Sequence, residues 1–392
     1  MSKINVLHVI DKFSMDGQNI HGVTRVLSWW IPRFNKERYN LIVCGLKHPD
    51  PASRTLEDLG LKVLYLGRGK LNPITAIDLL KVIKKEKIDV LHLHGYGACN
   101  FGRIAAIISK TPALLHEHAA FPRVPLHQVM ADYILAKFIS ETVANCSSVA
   151  EFCIKKRSIP SENVKVIFNG IPLDEFKMAS HEDIEKEKQR LNIPPDYKIV
   201  GTVARLHEQK GINYFIEAIP EVLNSCPKTK FLIVGDGHLR GELEERCKQL
   251  NLQHHVVFTG QRKDIPLILS LLDIKVISSV YEGTTLTVFE TMAVGKPIIS
   301  TDVDGLREVI EDGKTALVVP PKDVKVLAQK IIYLLKNKEE AERLGANARE
   351  EGKKYDIDSS VRKIEKLYDK LYDLKNHNLS STYKIAGGDF DT

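Results

Sequence analysis

The sequence predicts an α/β protein built from two doubly wound, Rossmann-like domains. Three observations lead there. The chain has 392 residues, too many for one ordinary hydrophobic core. Short, continuously apolar runs alternate with amphipathic stretches, which is how the strands of a parallel sheet covered on both faces read. The alternation also occurs twice, with a polar stretch between the two series.

In the first series, INVLHVI (4–10) reads as a buried strand and HGVTRVLSWWIPRF (21–34) as a loop entering a helix. YNLIVCGL (39–46) is a strand, PASRTLEDLG (51–60) a helix and KVLYLG (62–67) a strand. PITAIDLLKVIKKEK (73–87) is a helix and DVLHLHG (89–95) a strand, then CNFGRIAAIISK (99–110) a helix and PALLHEH (112–118) a strand. The second series opens with the strand YKIVGTVARL (197–206), then GINYFIEAIPEVLNSCP (211–227), a helix expected to break at Pro220. KFLIVGDG (230–237), HVVFTG (255–260), IKVISS (274–279) and KPIIST (296–301) are strands, with LRGELEERCKQLNL (239–252) and DIPLILSLLD (264–273) as helices between them. Near the end, Val361, Ile364, Leu367, Leu371 and Leu374 form one helical stripe. The expected layout is a first domain at 1–180, a linker at 181–196, a second domain at 197–355, a tail helix at 356–378 and a flexible tail at 379–392.

Composition narrows the function classes. Apolar residues make up 43% and charged residues 27%, ordinary for a globular protein. A net charge of +6 suits anionic substrates or an anionic membrane surface, and no nucleic-acid partner is expected. The six cysteines show no C-x-x-C pair and read as reduced, packed thiols of a cytoplasmic protein. The opening residues run straight into a strand, so no signal peptide is expected, and no apolar run is long enough to span a bilayer. Peripheral contact at the inner face of a membrane, through LLKVIKKEK (79–87) or the Trp29–Trp30 pair, is an alternative to simple packing of those residues.

Chemistry concentrates in the second domain. YEGTTLTVFETMAVGKPIIS (281–300) carries Glu282 in a loop and Glu290 inside a helix that Thr284 or Thr285 can cap and Gly295 can end. Gly283 lets the backbone approach a ligand, and the first helix amides suit a phosphate. Carboxylates beside a phosphate need partners of their own, and sugar hydroxyls fit. On spacing alone, two dipole-favoured acids at a helix start fit equally well. ARLHEQKGI (204–212) places Arg205 and Lys210 at the carboxyl end of a strand, where open α/β sheets bind ligands and two cations suit a diphosphate. A solvated strand-end loop is the alternative. Val234 to Gly237 ends the next strand with Gly235 and Gly237, without the full dinucleotide fingerprint.

Taken in order, ARLHEQKG, LIVGDG, VVFTGQR and the long segment 281–323 resemble the retaining glycosyltransferases of family 4, and VKVIFNGIPLDEF (164–176) resembles that family's segment at the end of the first domain. The resemblance implies a glycosyltransferase B-type fold, two Rossmann-like domains facing across a cleft, with the C-terminal helix crossing back to the first domain. It implies that Arg205 and Lys210 sit at a donor diphosphate, Glu290 at ribose hydroxyls and Glu282 near the transferred sugar. Gly283, Thr284, Thr285, Leu286 and Thr287 would offer amides to the sugar and phosphates, and Gly260, Gln261 and Arg262 fall where the family holds the base. In the first domain only Gly22 keeps the register of the family's paired glycines, and His21 takes the other place. His116 resembles the family's histidine at a strand end, with His118 as the runner-up, for contact with a sugar hydroxyl. His92 and His94 read as packing or acceptor-site residues. A metal on His116 and His118 lacks a third ligand nearby in the sequence, and no metal or other cofactor is expected.

The expected catalytic set is therefore His116, Arg205, Lys210 and Glu282. The expected reaction is transfer of a hexose or N-acetylhexosamine from a nucleotide-diphosphate sugar, uridine-linked by preference, to a saccharide or lipid-linked acceptor, in building polysaccharides or glycoconjugates. Cations and helix amides would stabilise charge on the leaving diphosphate. The resemblance implies retention of configuration, with the departing phosphate taking the acceptor's proton, so Glu282 is not assigned as a nucleophile. A nucleotide-sugar epimerase on the same fold and a non-catalytic sugar-nucleotide module are the rival readings.

Overall fold

The computed structural model describes residues 3–14, 20–69, 71–120 and 124–376. The tail at 379–392, and parts of the expected acceptor loops at 11–25 and 95–130, lie outside the described residues. The chain divides into two units, Met1–Asn169 with Ile357–Thr392, and Gly170–Asp356.

The first unit holds strands β1 (Ile4–Ile10), β2 (Tyr39–Gly45), β3 (Lys62–Tyr65), β4 (Val90–His94), β5 (Ala113–Glu117), β6 (Glu141–Ala144) and β7 (Val164–Val166). Its helices are α1 (Gly22–Trp30), α2 (Arg54–Glu57), α3 (Ile74–Lys85), α4 (Tyr96–Ser109), α5 (Leu126–Leu135) and α6 (Ser147–Arg157). The sheet runs β3-β2-β1-β4-β5-β6-β7, and its strand pairs are parallel. β1 and β4 are buried almost throughout, which explains why apolar residues dominate them, with His8, His92 and His94 as buried exceptions.

The second unit follows the same plan. It contains α7 (His181–Arg190), β8 (Lys198–Val203), α8 (Ile212–Ser225), β9 (Thr229–Val234), α9 (Arg240–Gln249), β10 (Val256–Gly260) and α10 (Ile265–Leu271). It continues with β11 (Ile274–Ile277), α11 (Leu286–Val294), β12 (Ile298–Thr301), α12 (Asp304–Arg307), β13 (Leu317–Val319), α13 (Val324–Lys336) and α14 (Lys338–Gly352). The sheet order β10-β9-β8-β11-β12-β13 has the Rossmann pattern of strands, again parallel. The two doubly wound sheets are those expected from the sequence.

Local findings refine the reading. The helix α8 does not break at Pro220 but runs through it. Its buried face of Phe215, Ile216, Ile219 and Val222 packs in the core with α13, and that burial outweighs the one amide that proline removes. Residues 181–196, read as a linker, carry α7, which belongs to the second unit: Arg262 Nη1 donates to Glu187 at 2.8 Å. The helix α15 (Ile357–Asn376) rejoins the first unit, burying Val361, Ile364, Tyr368 and Leu371 and meeting α1 and β4. Tyr368 thus occupies the stripe at the place where Leu367 was expected. Trp29 and Trp30 are buried, and the Trp30 indole N–H donates to Asn169 O at 2.7 Å, so the pair is core.

A buried ion cluster anchors the end of β5. Arg157 Nε and Nη2 donate to the two Asp132 oxygens at 3.0 and 2.9 Å, Arg103 Nη2 donates to Asp132 at 2.7 Å, and Arg157 also pairs with Glu117. Together these tie α4, α5 and α6 to the strand that carries His116. The six cysteines are free and all but Cys226 are buried.

Candidate functional site

In an open parallel sheet the switch in strand order leaves a crevice at the strand carboxyl ends. In the second unit that switch lies between β8 and β11. The loop after β8 carries Arg205 and Lys210, and the loop after β11 carries Glu282. The two loops are stapled together: Val280 N donates to Gln209 O at 2.8 Å, and Ser278 Oγ donates to Lys210 O at 2.9 Å. Gly211 makes this approach possible, since at φ +57° its Cβ would lie 2.2 Å from Ser278 O.

The Glu282 carboxylate has three donors. It is ion-paired to the Lys210 ammonium, with the two side chains only 13% and 6% exposed. Ser279 Oγ donates to it at 2.7 Å and Gln209 Nε2 at 3.3 Å. Lys210, Lys275, Thr202, Ser279, Thr285 and Thr287 line a common recess at this place. Thr285 is the N-cap residue of α11, yet its hydroxyl meets Thr287 Oγ1 at 3.3 Å and makes no capping bond. The first-turn amides and the positive end of the helix dipole therefore lack a side-chain cap from Thr285. Leu286 begins the helix, Thr284 is buried before it, and Gly295 ends it at φ +81°. Gly283 packs against α12: a Cβ on Gly305 would lie 1.9 Å from Gly283 O.

Glu290 is buried inside α11 and acts electrostatically on Lys275. Burial lowers the Lys275 ammonium to about 7, against the opposing pull of Glu290. The Lys275 Nζ donates to Val276 O at 3.0 Å. Arg205 is exposed, and its charge helps to lower the pKa of His207, though burial lowers it more. Gly235 and Gly237 allow the end of β9 to lie against the loop after β8, since their Cβ atoms would reach Ala204 O and Leu206 O. Gly260 accepts from the Gly235 amide at 2.9 Å. Arg262 is held by ion pairs to Glu187 at 2.8 Å and to Asp264, so in this structure its guanidinium is already engaged.

The first unit gathers histidines at its own switch point, between β1 and β4. His8 on β1, His92 and His94 on β4, and His116 on β5 are buried, with His118 just beyond. Register brings them together: His8 pairs with His92 and His94 with His116 across neighbouring strands. Burial pushes His8 and His118 down to about 3 and the other three well below their ordinary value. Tyr368 reaches them from α15, its hydroxyl 2.6 Å from His92 Nδ1. His94 supplies the third histidine near His116 and His118 that the sequence did not offer, with ligand atoms within 4.8 Å of one another. The His116 and His118 rings stack at 4.0 Å and 16°, however, and an ion lies in the plane of each imidazole that binds it. Near-parallel planes stacked in this way do not meet at one ion.

Gly22 is the first residue of α1, and a Cβ there would meet nothing within 4 Å. His21 caps that helix, its Nδ1 accepting from Thr24 N at 3.2 Å. The side chain in place of the family's second glycine therefore has a local structural task.

Sequence reasoning missed three residues. Lys275 was detectable as the lone charge in the strand IKVI. His8 was detectable as a polar residue in the middle of the apolar run VLHVI. Tyr368 carried no signal beyond its place on an apolar stripe.

Two family models match the chain. "Glycosyltransferase Family 4" covers residues 20–175, and "Glycosyl transferases group 1" covers 183–351. An Escherichia coli UDP-Gal:alpha-D-GlcNAc-diphosphoundecaprenol alpha-1,3-galactosyltransferase is 30% identical over 63% of this chain and 66% of its own length. The Campylobacter jejuni N,N'-diacetylbacillosaminyl-diphospho-undecaprenol alpha-1,3-N-acetylgalactosaminyltransferase is 29% identical over 82% of this chain and 89% of its own. Among solved structures, Anabaena Alr3699/HepE in complex with UDP-glucose is similar with a TM-score of 0.81 and 21% identity, over 94% of this chain and all of that one. That last likeness concerns the fold, which is the glycosyltransferase B-type.

Proposed function

The chain belongs to glycosyltransferase family 4, and from that premise we propose that it transfers a hexose or N-acetylhexosamine from a nucleotide-diphosphate sugar, uridine-linked, with retention of configuration. The observation that carries this reading is the recess of the second unit. Lys210 and Lys275 and the uncapped start of α11 face one space at the strand carboxyl ends. An anion is favoured there, and a pyrophosphate has the charge to use two ammoniums and a helix N-terminus together.

As the bond between the sugar and the diphosphate breaks, negative charge grows on the leaving oxygens. Lys210, held in place by Glu282, stabilises that charge, with Arg205 at the rim and the α11 amides adding to it. Fixed cations do here what a bound divalent ion does elsewhere, and the reading assigns no role to a metal. Glu290 binds donor hydroxyls, and the leaving phosphate takes the acceptor's proton.

Relatives named for diphosphoundecaprenol substrates support a lipid-linked or saccharide acceptor. Among the described residues no helix is long and apolar enough to cross a membrane. A surface contact is supported instead by α5, where Leu126, Val129, Met130, Tyr133 and Ile134 are exposed along one stripe.

The purified chain is to be incubated with UDP-glucose, UDP-galactose and their N-acetylated counterparts, each with a panel of diphosphoundecaprenol-linked saccharides. Release of UDP with an α-linked product is expected from an α-linked donor. Binding without a new glycosidic bond, or a donor epimerised at one carbon, would remove the assignment.

A further inference from the structure

Five imidazoles and one phenol lie in single file through the first unit. His118 Nε2 meets His94 Nδ1 at 3.1 Å, and His94 Nε2 meets His8 Nδ1 at 3.2 Å. His8 Nε2 meets the Tyr368 hydroxyl at 3.1 Å, and the same hydroxyl meets His92 Nδ1 at 2.6 Å. His92 Nε2 meets His116 Nδ1 at 3.2 Å. There the file stops: His116 Nε2 is buried with no hydrogen-bond partner among the described residues.

The three ring-to-ring links have hydrogen-bond geometry. Their ring centres are 5.3 to 5.4 Å apart, close to the N···N distance plus a ring radius at each end. That sum is the greatest separation the centres can have, and the observed distances reach it to within about 0.2 Å, so the nitrogens face each other near the line of centres, as an N–H···N bond requires.

Proton counting then constrains the whole file. A neutral imidazole has one N–H and one lone pair, so a ring that donates on one side accepts on the other. The phenol donates once and accepts. If every link holds one proton, all six groups donate in the same direction. Only two arrangements do this. In one, His116 Nε2 presents an N–H; in the other it presents a lone pair, and the extra proton sits on His118 Nδ1. Passing between them takes up one proton at one end and releases one at the other, with each internal proton moving one link and no change in net charge.

We propose that these six side chains form one two-state hydrogen-bonded chain, and that Tyr368 is a positioning residue that couples the unpaired, buried Nε2 of His116, which a substrate hydroxyl meets on binding, to the proton state of His118. A hydroxyl both donates and accepts, so it completes the chain in either state, whereas a phosphate or carboxylate completes only one. The hydroxyl at His116 rests on the glycosyltransferase reading above. The chain itself does not.

The test separates the two. Long-range ¹H–¹⁵N spectra of the full chain report the tautomer of each histidine without substrate. His118→Gln is expected to change the tautomer of His116 at the far end. In Tyr368→Phe, which keeps the ring and removes the oxygen, the same substitution is expected to leave His116 unmoved. Tyr368→Phe is also expected to raise the KM of one substrate about tenfold, as for one lost hydrogen bond, with a smaller change in kcat. His94→Gln, which cuts the file at another link, serves if Tyr368→Phe does not fold. Independent tautomers at His116 and His118 in the parent protein would overturn the chain. Coupled tautomers with an unchanged KM would overturn the hydroxyl at His116 and leave the chain standing. Loss of transfer chemistry in the parent, with coupling intact, would count only against the glycosyltransferase reading.

Discussion

Glu282 is ion-paired to Lys210 across 72 positions of sequence, and both side chains are largely buried. The acid that the motif suggests for a sugar also holds the cation that the motif suggests for a phosphate. A buried ammonium without this partner would lose its fixed position and stand as an uncompensated buried charge. The pair therefore holds the Lys210 ammonium in a fixed place beside the recess before any ligand arrives.

Lys210→Ala should slow turnover far more than it weakens donor binding, because the growing charge on the diphosphate exists only in the transition state. A fall in kcat of about 100-fold is expected, against a several-fold rise in donor Kd. Glu290→Ala should show the opposite split, with about tenfold weaker donor binding and a smaller loss of kcat. Single-turnover kinetics beside calorimetric titration of the donor separate the two effects. Parent-like values for both variants would dismiss the recess as the donor site.

The second prediction concerns Lys275. Its pKa is about 7 in the folded chain and 10.5 when unperturbed, so between these values the unfolded state binds more protons. Stability contributed through this group therefore rises with pH across that window, is constant below it and carries no penalty above it. Lys275→Met removes the dependence. The difference in unfolding free energy between the parent and the variant should change with a slope of up to one proton from pH 7 to 10.5, and be flat below pH 7. Denaturant melts across the range measure it. A difference that does not vary with pH would mean that the ammonium is not buried as described.

Much of this was legible beforehand, for reasons tied to particular residues. Both parallel sheets were, because buried strands such as β1 and β9 read as mostly apolar runs. The helix α11 was, because Thr284 or Thr285 and then Gly295 mark its ends. Relations set by register and by chain return were not. His8 meets Tyr368 from 360 residues away, and no local pattern encodes that contact. The fate of Pro220 was misjudged because burial against α13 outweighs one missing amide. The pairing of Arg262 with Glu187 was hidden because α7 looked like a polar connector.

A third prediction follows from the buried histidines. Each is held neutral, with a folded pKa far below the unperturbed 6.5, about 3 for His8 and His118. As pH falls through 6.5 the unfolded chain takes up protons that the folded chain refuses, so stability is lost toward acid. The loss should be steep, with proton uptake on unfolding approaching one for each of the five rings near pH 5. Tryptophan fluorescence reports the first unit directly, since Trp29 and Trp30 are core residues there. A fluorescence midpoint that is unchanged between pH 7 and 5 would show the rings to be solvated.

The last prediction places a membrane contact on α5 and not on the tryptophan pair, which is buried. The exposed residues Leu126, Val129, Met130, Tyr133 and Ile134 recur at helical spacing, so they cover one side of that helix. On its other side Gln128 and Asp132 are buried in the ion cluster with Arg103, which keeps the apolar stripe turned outward. The helices α4 and α6 pack against α5, and exposed lysines stand at their ends, Lys110 after α4 and Lys155 and Lys156 on α6. Apolar insertion beside basic side chains favours an anionic bilayer over a neutral one. The chain should therefore sediment with vesicles containing phosphatidylglycerol more than with phosphatidylcholine alone. Met130→Ser with Tyr133→Ser should reduce that fraction severalfold without lowering the melting temperature, because neither side chain is part of the core. Equal binding to both vesicle types, or by the doubly substituted chain, would assign the stripe to something other than lipid.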